Sequence, residues 1–552
     1  METRQTQNNW PIALLVFLTI SATYLFMITK TTLWDRDEPR FARATVEMLE
    51  TGDYLVPTFN GQLWADKPVG VYWLMSLSIK LFGNTEFSCR FFSALGTAIS
   101  CLLTFLIGKR LFGAKEGLWA MVILASSTMM LAVGTMATAD GSTLPLILAA
   151  MTVFTYAMTS KWHHHHAILI GILMGLGMLA KGPIGLLPLP VMLITLWFTR
   201  KDYLDFTKQS LAIFEALGIA IIIFLGWAIQ ANRATDGQFL STFIGRHVIT
   251  RMFHPMEHHG GNFLLYLPYY LPVIIGGFFP WIIFLPGAFS ALIGNRLGTK
   301  PSKNLLLSWT ISIVVIMTLA ATKLPHYIIF IWPALALLSA AVIVAFQNRL
   351  LSDSDVKWLR RGNWFFVPVG LVVGSGLIAA PFFLKISALV IPAIICGIVL
   401  LLITFLAANY LYRNRVIAAA KLVFVGMVVF HIPYIFGVLP VIESIKVTPA
   451  IAGAINKATP FNTPVATYKF GEPSLNYYLG RNLRELSDQK EVVAWIQQKE
   501  PAVLVIPNSE YEKIKQHYGN LPAKLILSKK GFNYSKGKTI ELLALSCNQE
   551  KR

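Results

Sequence analysis

The sequence predicts a polytopic α-helical membrane protein that ends in a small α/β domain outside the membrane. Three observations carry this. Hydrophobic residues make up 55% of the 552 positions and charged residues only 14%, a balance that a soluble chain of this length does not reach. Apolar runs near the twenty residues that a bilayer requires recur along most of the chain. After about residue 440 the pattern changes to short β-rich runs alternating with polar, helix-like stretches.

The runs fall at residues 10–29, 88–107, 117–138, 140–160, 166–180, 183–199, 211–230, 263–291, 305–322, 326–346, 363–384, 387–409 and 416–438, about thirteen spans. The first, Trp10 to Ile28, is long enough to cross and is followed by no small-residue cleavage site, so it reads as an uncleaved span rather than a signal peptide. With the N-terminus inside, alternate loops carry Lys109, Arg110 and Lys115; Lys161; Arg200, Lys201 and Lys208; Arg296, Lys300 and Lys303; Arg349, Lys357, Arg360 and Arg361; and Arg413, Arg415 and Lys421. This is the positive-inside pattern, and it absorbs most of the net charge of +19 without any nucleic-acid partner. Cys89, Cys101, Cys396 and Cys547 are scattered, which argues against a disulfide framework or a Cys/His metal centre.

The outer side then receives loop 30–87, loop 231–262 and everything after about 440. The expected domains are residues 1–439, a transmembrane catalytic domain with interfacial helices in loop 30–87, and residues 440–552, an extracytoplasmic α/β domain. In the first loop Asp37-Glu38-Pro39 reads as a helix start, with acids before a proline at the first turn. Phe41, Thr45, Met48 and Leu49 follow at helical spacing, with Arg40, Arg43, Glu47 and Glu50 opposite, which predicts a helix lying along the interface with its charged face in water. A second amphipathic piece runs from Val71 to Phe82, with Tyr72 and Trp73 at headgroup height. The loop from Phe243 to His254 ends in His258-His259-Gly260-Gly261, which reads as mobile. His163 to His166 read as a solvated inner loop rather than a metal site, because four consecutive side chains point in different directions. In the last domain, strands are expected at 465–470, 503–506, 524–527 and 539–543 and a helix at 490–498, with no nucleotide or nucleophile motif.

Under this topology Asp35, Asp37, Glu38, Asp66, Lys67, Asp140, Lys181, His247, Arg251, Lys323 and His326 collect at the outer ends of spans. Ionisable groups at or in a bilayer are costly, and their gathering on one side points to a site facing one aqueous compartment. Each also has a bland reading. Asp37, Glu38 and Asp140 stand where helix caps stand, Asp35 reads as a solvated turn residue, and Asp66-Lys67 reads as an exposed ion pair. Lys181 can snorkel, and His247 can be a structural histidine, although its spacing from Arg251 lets the two share a helical face.

Asp37-Glu38-Pro39-Arg40-Phe41-Ala42, Asp66-Lys67-Pro68, Asp140, Lys181-Gly182-Pro183, His247 with Arg251, and Lys323-Leu324-Pro325-His326-Tyr327 occur in an order that resembles the bacterial branch of the protein-mannosyltransferase superfamily. These are GT-C glycosyltransferases that use polyprenyl-phosphate sugars, and within them the chain is most similar to the lipid A aminoarabinose transferase group. The resemblance covers residues 10–350 well. The chain departs from that group with Asp66 before the Lys-Pro step and His326 before the tyrosine.

The resemblance implies a GT-C fold and transfer, with inversion, of a sugar from an undecaprenyl-phosphate donor to lipid A. It places the enzyme in the bacterial inner membrane with its active site facing the periplasm. On this reading Lys67, Lys181, Arg251, Lys323, His326 and Tyr327 bind the donor and its phosphate. Asp37, Glu38 and Asp140 are the catalytic candidates, with Asp37 as base for a hydroxyl acceptor or as a stabilising charge for an anionic one. Asp66 and His247 are the candidate ligands of a divalent cation beside the phosphate, with no nucleotide cofactor. A transporter would instead carry polar groups along mid-span segments and inverted repeats, neither of which is evident. A protein O-mannosyltransferase would differ only in acceptor.

Overall fold

A computed structural model describes residues 9–160, 162–200, 206–255 and 266–547 of the chain. The His258–Gly261 stretch, Lys161, Lys201 and the first residues of the expected span at 263–291 lie outside the described residues. The chain forms two compact units: residues 1–28, 65–71 and 90–438, and residues 29–64, 72–89 and 439–552. The loop at 30–87, expected to decorate the membrane domain, is thus divided between them.

In the first unit ten helices among the described residues are long and apolar enough to cross a bilayer, or twelve if each of two bent pairs is one span. The bent pairs are Ala114–Ala125 with Thr128–Gly134, at 66°, and Tyr270–Gly277 with Trp281–Ile293, at 107°. The count falls short of thirteen because of 183–199. Pro183, Pro188 and Pro190 interrupt the hydrogen-bond ladder there, leaving a 3₁₀ segment Gly182–Leu186 and a helix Pro188–Thr199 of only 12 residues. Such a helix is about 18 Å long, against a hydrocarbon core of about 30 Å. The most deeply enclosed of these spans is Pro325–Gln347, whose apolar window is wholly buried.

Two close approaches position the polar residues of this unit. At Gly70 a Cβ would stand 2.8 Å from the Leu179 carbonyl, so only glycine lets segment 65–71 lie against the last turn of helix His164–Lys181. At Gly141 a Cβ would stand 2.7 Å from that of Ser93, which seats the start of helix Ala139–Thr159 on helix Glu86–Leu111.

The second unit contains a two-residue hairpin, β1 (Thr58–Phe59) and β2 (Gln62–Leu63), and a five-stranded sheet. Its strands are β3 (Val465–Tyr468), β4 (Leu483–Leu486), β5 (Ala502–Pro507), β6 (Ala523–Asn533) and β7 (Lys538–Cys547), in the order β4-β3-β5-β7-β6. β3 runs parallel to β4 and β5, while β7 is antiparallel to β5 and β6. Every residue of β5 is buried because both faces of the sheet are covered. Val492, Trp495, Ile496, Tyr511 and Ile514 cover one face. Ile451, Ile455, Leu475 and Leu479 cover the other. The expected strands and the helix at 490–498 are present, the latter as Gln489–Gln497. Strand β4 escapes a periodicity reading because Arg484 and Glu485 interrupt it.

Helix Asp37–Thr51 forms as its acidic first turn and the left-handed Gly52 at its end predict (φ 74°). Its charged face, however, is only partly in water, with Glu50 exposed and Arg40 half-buried. Arg43 and Glu47 are 3% and 4% exposed. Glu47 pairs with Arg43 at 3.0 Å and accepts from Thr58 Oγ1 at 2.9 Å and the Asn60 amide at 2.8 Å. Arg43 also donates to the Gly480 carbonyl at 3.2 Å and to Asn482 at 3.4 Å. The paired charges hold this helix to the turn before β4, which corrects the expectation of a solvated face at Arg43 and Glu47.

Candidate active site

In the membrane unit, segment 65–71 presents Asp66 and Lys67. Lys67 Nζ donates to Asp66 Oδ2 at 2.8 Å, and the other carboxylate oxygen faces His247 Nδ1 at 2.9 Å and Arg251 Nη2 at 3.6 Å. His247 lies on the π-helical stretch Ser241–Thr250, which continues into Arg251–Phe253. The wider π turn keeps residues four apart on one side, so the shared face predicted for His247 and Arg251 is realised. Two backbone bonds, Ala321 to Met252 at 2.9 Å and Thr322 to Arg251 at 3.0 Å, clamp this stretch to the segment before the Lys-Leu-Pro motif.

Arg251 Nη1 then donates to Tyr327 Oη at 3.2 Å. The Tyr327 ring lies 5.3 Å from Lys181 Nζ and meets His326 edge-on. Lys181 is hydrogen-bonded to Asp140 Oδ1, and Asp140 Oδ2 stands 3.9 Å from His326 Nε2. His247, Asp66, Lys67, Arg251, Tyr327, Lys181, Asp140 and His326 therefore form one continuous polar cluster drawn from five separated stretches of the chain. Lys67, Lys181 and Arg251 stand against two carboxylates, an excess of positive charge suited to holding an anion.

Burial pushes the Asp66 carboxyl upward, but the Lys67 ammonium and His247 outweigh it and hold the group well below the ordinary carboxylate range. Burial likewise depresses the Lys67 ammonium, while Asp66 and Tyr327 more than restore it. The pair is therefore charged throughout the neutral range. Its side chains are only 17% and 18% exposed, which replaces the solvent-exposed ion pair of the bland reading.

Asp66 Oδ1 and His247 Nδ1 are buried and, despite their proximity, neither has an aligned hydrogen-bond partner. Two orphaned donor atoms of this kind fit a divalent cation between them. Among the described residues no third His, Cys, Asp or Glu joins them. Nor does the His163–His166 run form such a group.

Other expected site residues are placed differently. Lys323 donates to the carbonyls of Met317, Thr318 and Ala320, closing the C-terminal end of helix Lys300–Leu319. Its donors are engaged by backbone carbonyls in this structure, and burial lowers its ammonium below the usual lysine value. Glu38, in the second unit, is 2% exposed and accepts from the Trp34 amide at 2.7 Å, closing the turn before its helix. This contact is the capping role of the bland reading. Asp35 is not a solvated turn residue. Its carboxylate accepts from the Ser474 amide at 2.9 Å and from Ser474 Oγ at 2.6 Å, and burial pushes it up to about 6 against the pull of those bonds. Asp37 remains open, with its side chain 63% exposed and 3.9 Å from Arg40. Thr322, which donates to the His254 carbonyl at 3.2 Å, and Tyr270, which donates to the Leu324 carbonyl at 3.4 Å, brace the motif; Thr322 only adjoins it in sequence and Tyr270 carries no sequence signal.

Residues 66–229 match the family described as dolichyl-phosphate-mannose-protein mannosyltransferase. The undecaprenyl phosphate-alpha-4-amino-4-deoxy-L-arabinose arabinosyl transferase of Serratia proteamaculans is 30% identical over 67% of this chain and 66% of its own length. The protein of the same name from Yersinia pestis is 30% identical over 61% of this chain and 60% of its own. The chain thus matches just under two thirds of these relatives' length. In three dimensions it is similar to ArnT from Cupriavidus metallidurans bound to undecaprenyl phosphate, with TM-score 0.77, 18% identity and 98% of both chains covered. The apo form of that protein gives TM-score 0.75 over 97% of this chain and 99% of its own. The chain is a multi-pass membrane protein with the GT-C fold, and its residues 66–229 are similar to the protein-mannosyltransferase family.

Proposed function

We propose that this protein is an inverting glycosyltransferase of the bacterial inner membrane that moves 4-amino-4-deoxy-L-arabinose from undecaprenyl phosphate to lipid A on the periplasmic side. The names of the relatives support the sugar and its carrier. The alternation of Lys- and Arg-rich loops supports the orientation. The observation that carries the reading is the buried, net-positive cluster of Lys67, Arg251 and Lys181 around Tyr327.

In the proposed reaction an acceptor oxygen attacks the anomeric carbon as the bond from that carbon to the carrier phosphate breaks. The leaving undecaprenyl phosphate takes the electron pair and gains negative charge, so pre-placed cations stabilise the transition state more than the ground state. Lys67 and Arg251 hold the departing phosphate, and Lys181, neutralised in part by Asp140, sets the far wall. Tyr327 orients the Arg251 guanidinium. Asp37, in the second unit, is the candidate base for a hydroxyl acceptor or a stabilising charge for an anionic one. A divalent cation held by Asp66 and His247 would supply Lewis-acid stabilisation of the same phosphate.

Transfer to protein hydroxyls is the second reading, supported by the description of the matched family. Mass spectrometry of lipid A separates the two, using cells that carry the protein, cells that lack it, and cells with Asp37→Asn. We expect a pentosamine on lipid A only in the first. Unmodified lipid A in every strain would remove this acceptor, and normal modification with Asp37→Asn would remove Asp37 from the chemistry.

A further inference from the structure

Charge in the C-terminal part of the second unit is unevenly placed. Residues 439–522 hold nine lysines and arginines against eight acids, whereas the β6–β7 hairpin, residues 523–547, holds five lysines against one glutamate. Four of them, Lys529, Lys530, Lys536 and Lys538, lie within ten residues around the turn, with no acid among them. Lys530, Lys536 and Lys538 are exposed and Lys529 is half-buried. Glu541 stands across from Lys530 in the strand register but is engaged by Ser528 at 2.7 Å and Asn508 at 3.0 Å.

The position of this turn is set by the chain that leaves the membrane. The last apolar run is Val416–Ser444. The hairpin is pinned to its end: the Phe532 amide donates to the Ile445 carbonyl at 2.9 Å and Tyr534 Oη donates to the Ile442 carbonyl at 2.9 Å. At Gly531 a Cβ would come within 2.1 Å of that same Ile445 oxygen, so the strand lies flush on the exit segment. Tyr534 packs edge-on against Trp34, the aromatic pair that membrane interfaces favour. The lysines therefore sit on a hairpin fixed to the residues that end the last apolar run.

We propose that the Lys529–Lys538 turn is an electrostatic seat for the anionic phospholipid headgroups of the bilayer in which the protein sits. The residue type favours this over recognition of one particular phosphate. Lysine is a compact, mobile point charge suited to a diffuse anionic surface, whereas specific phosphate sites favour the planar fork of arginine, and the hairpin has none.

The test uses the full chain in nanodiscs of phosphatidylcholine and phosphatidylglycerol, with a fluorophore on Thr539→Cys. The four native cysteines are buried, so the new thiol is labelled selectively. Quenching is compared for trace headgroup-spin-labelled phosphatidylglycerol and the same trace of labelled phosphatidylcholine. We expect severalfold stronger quenching by the anionic lipid, lost in 0.5 M NaCl and lost when Lys529, Lys530, Lys536 and Lys538 are changed to Gln. The quadruple change to Arg retains it, which separates charge from misfolding. Equal quenching by the two lipids overturns the proposal. So does a preference that appears only when a phosphorylated glycolipid acceptor is added, because the turn would then recognise substrate rather than the bilayer.

Discussion

Arg251 Nη1 donates to the phenol oxygen of Tyr327 at 3.2 Å, joining the loop after residue 240 to the Lys-Leu-Pro-His-Tyr motif. With its other terminal nitrogen 3.6 Å from Asp66, the guanidinium is held at two corners and its plane is set. Tyr327→Phe keeps the ring over Lys181 but removes that bond. Transfer from the polyprenyl-phosphate donor should fall about tenfold in kcat/KM, the equivalent of about 1.4 kcal/mol of transition-state stabilisation. Unchanged kinetics in reconstituted membranes would show that Arg251 is oriented by Asp66 alone.

Lys67→Ala removes a cation and leaves Asp66 buried beside only Arg251 and His247. We expect a loss of turnover of about a hundredfold or more, with Lys67→Arg recovering part of it. Equal kcat and KM in Lys67→Ala and the wild type would make the charge purely structural.

The unaligned Asp66–His247 contact predicts binding of a divalent ion. Purified protein should gain thermal stability on titration with Zn²⁺ or Mn²⁺, and Asp66→Asn and His247→Ala should each abolish the gain. A gain that persists in both variants would locate the ion elsewhere.

Lys323→Met tests the helix-closing role. It strips three carbonyls of their donor, so the protein should lose about 1–2 kcal/mol of stability with the donor KM unchanged. A raised KM without loss of stability would return Lys323 to the phosphate site.

Asp35 makes the second unit sensitive to pH. Its folded value of about 6 lies above the ordinary 3.8, so the folded state binds the proton more tightly than the unfolded one. The favourable contribution is full below about pH 4 and is lost as pH rises through 6. Asp35→Asn should therefore raise the melting temperature at pH 7.5 and flatten its dependence between pH 4 and 6.5. A wild-type melting temperature that climbs over that interval and tracks the variant would contradict this sign.

Much of the membrane architecture was legible because bilayer thickness imposes a length on apolar runs that depends on nothing else in the chain. The residues of the polar cluster were also legible, since an ionisable group at a span end is costly enough to be conspicuous wherever it occurs. That cost, or a motif, marks Asp66, Lys67, Asp140, Lys181, His247, Arg251, His326 and Tyr327 one by one in the sequence. Whether each meets its neighbours depends on close approaches such as Gly70 on Leu179, and no periodicity encodes those. Arg43 and Glu47 show the limit clearly. At helical spacing a charged face means water, unless another segment brings donors and acceptors that replace it, as the turns at Asn60 and Gly480 do. Lys323 and Glu38 show the same limit from the other side, since orphan backbone groups at helix ends and turns took up charges that their positions had suggested for a ligand. Composition and spacing alone determined that the chain crosses a membrane many times and gathers its ionisable groups at span ends. The tertiary structure decided which of those groups face each other and which satisfy the backbone, because desolvation energy is settled only once every partner is in place.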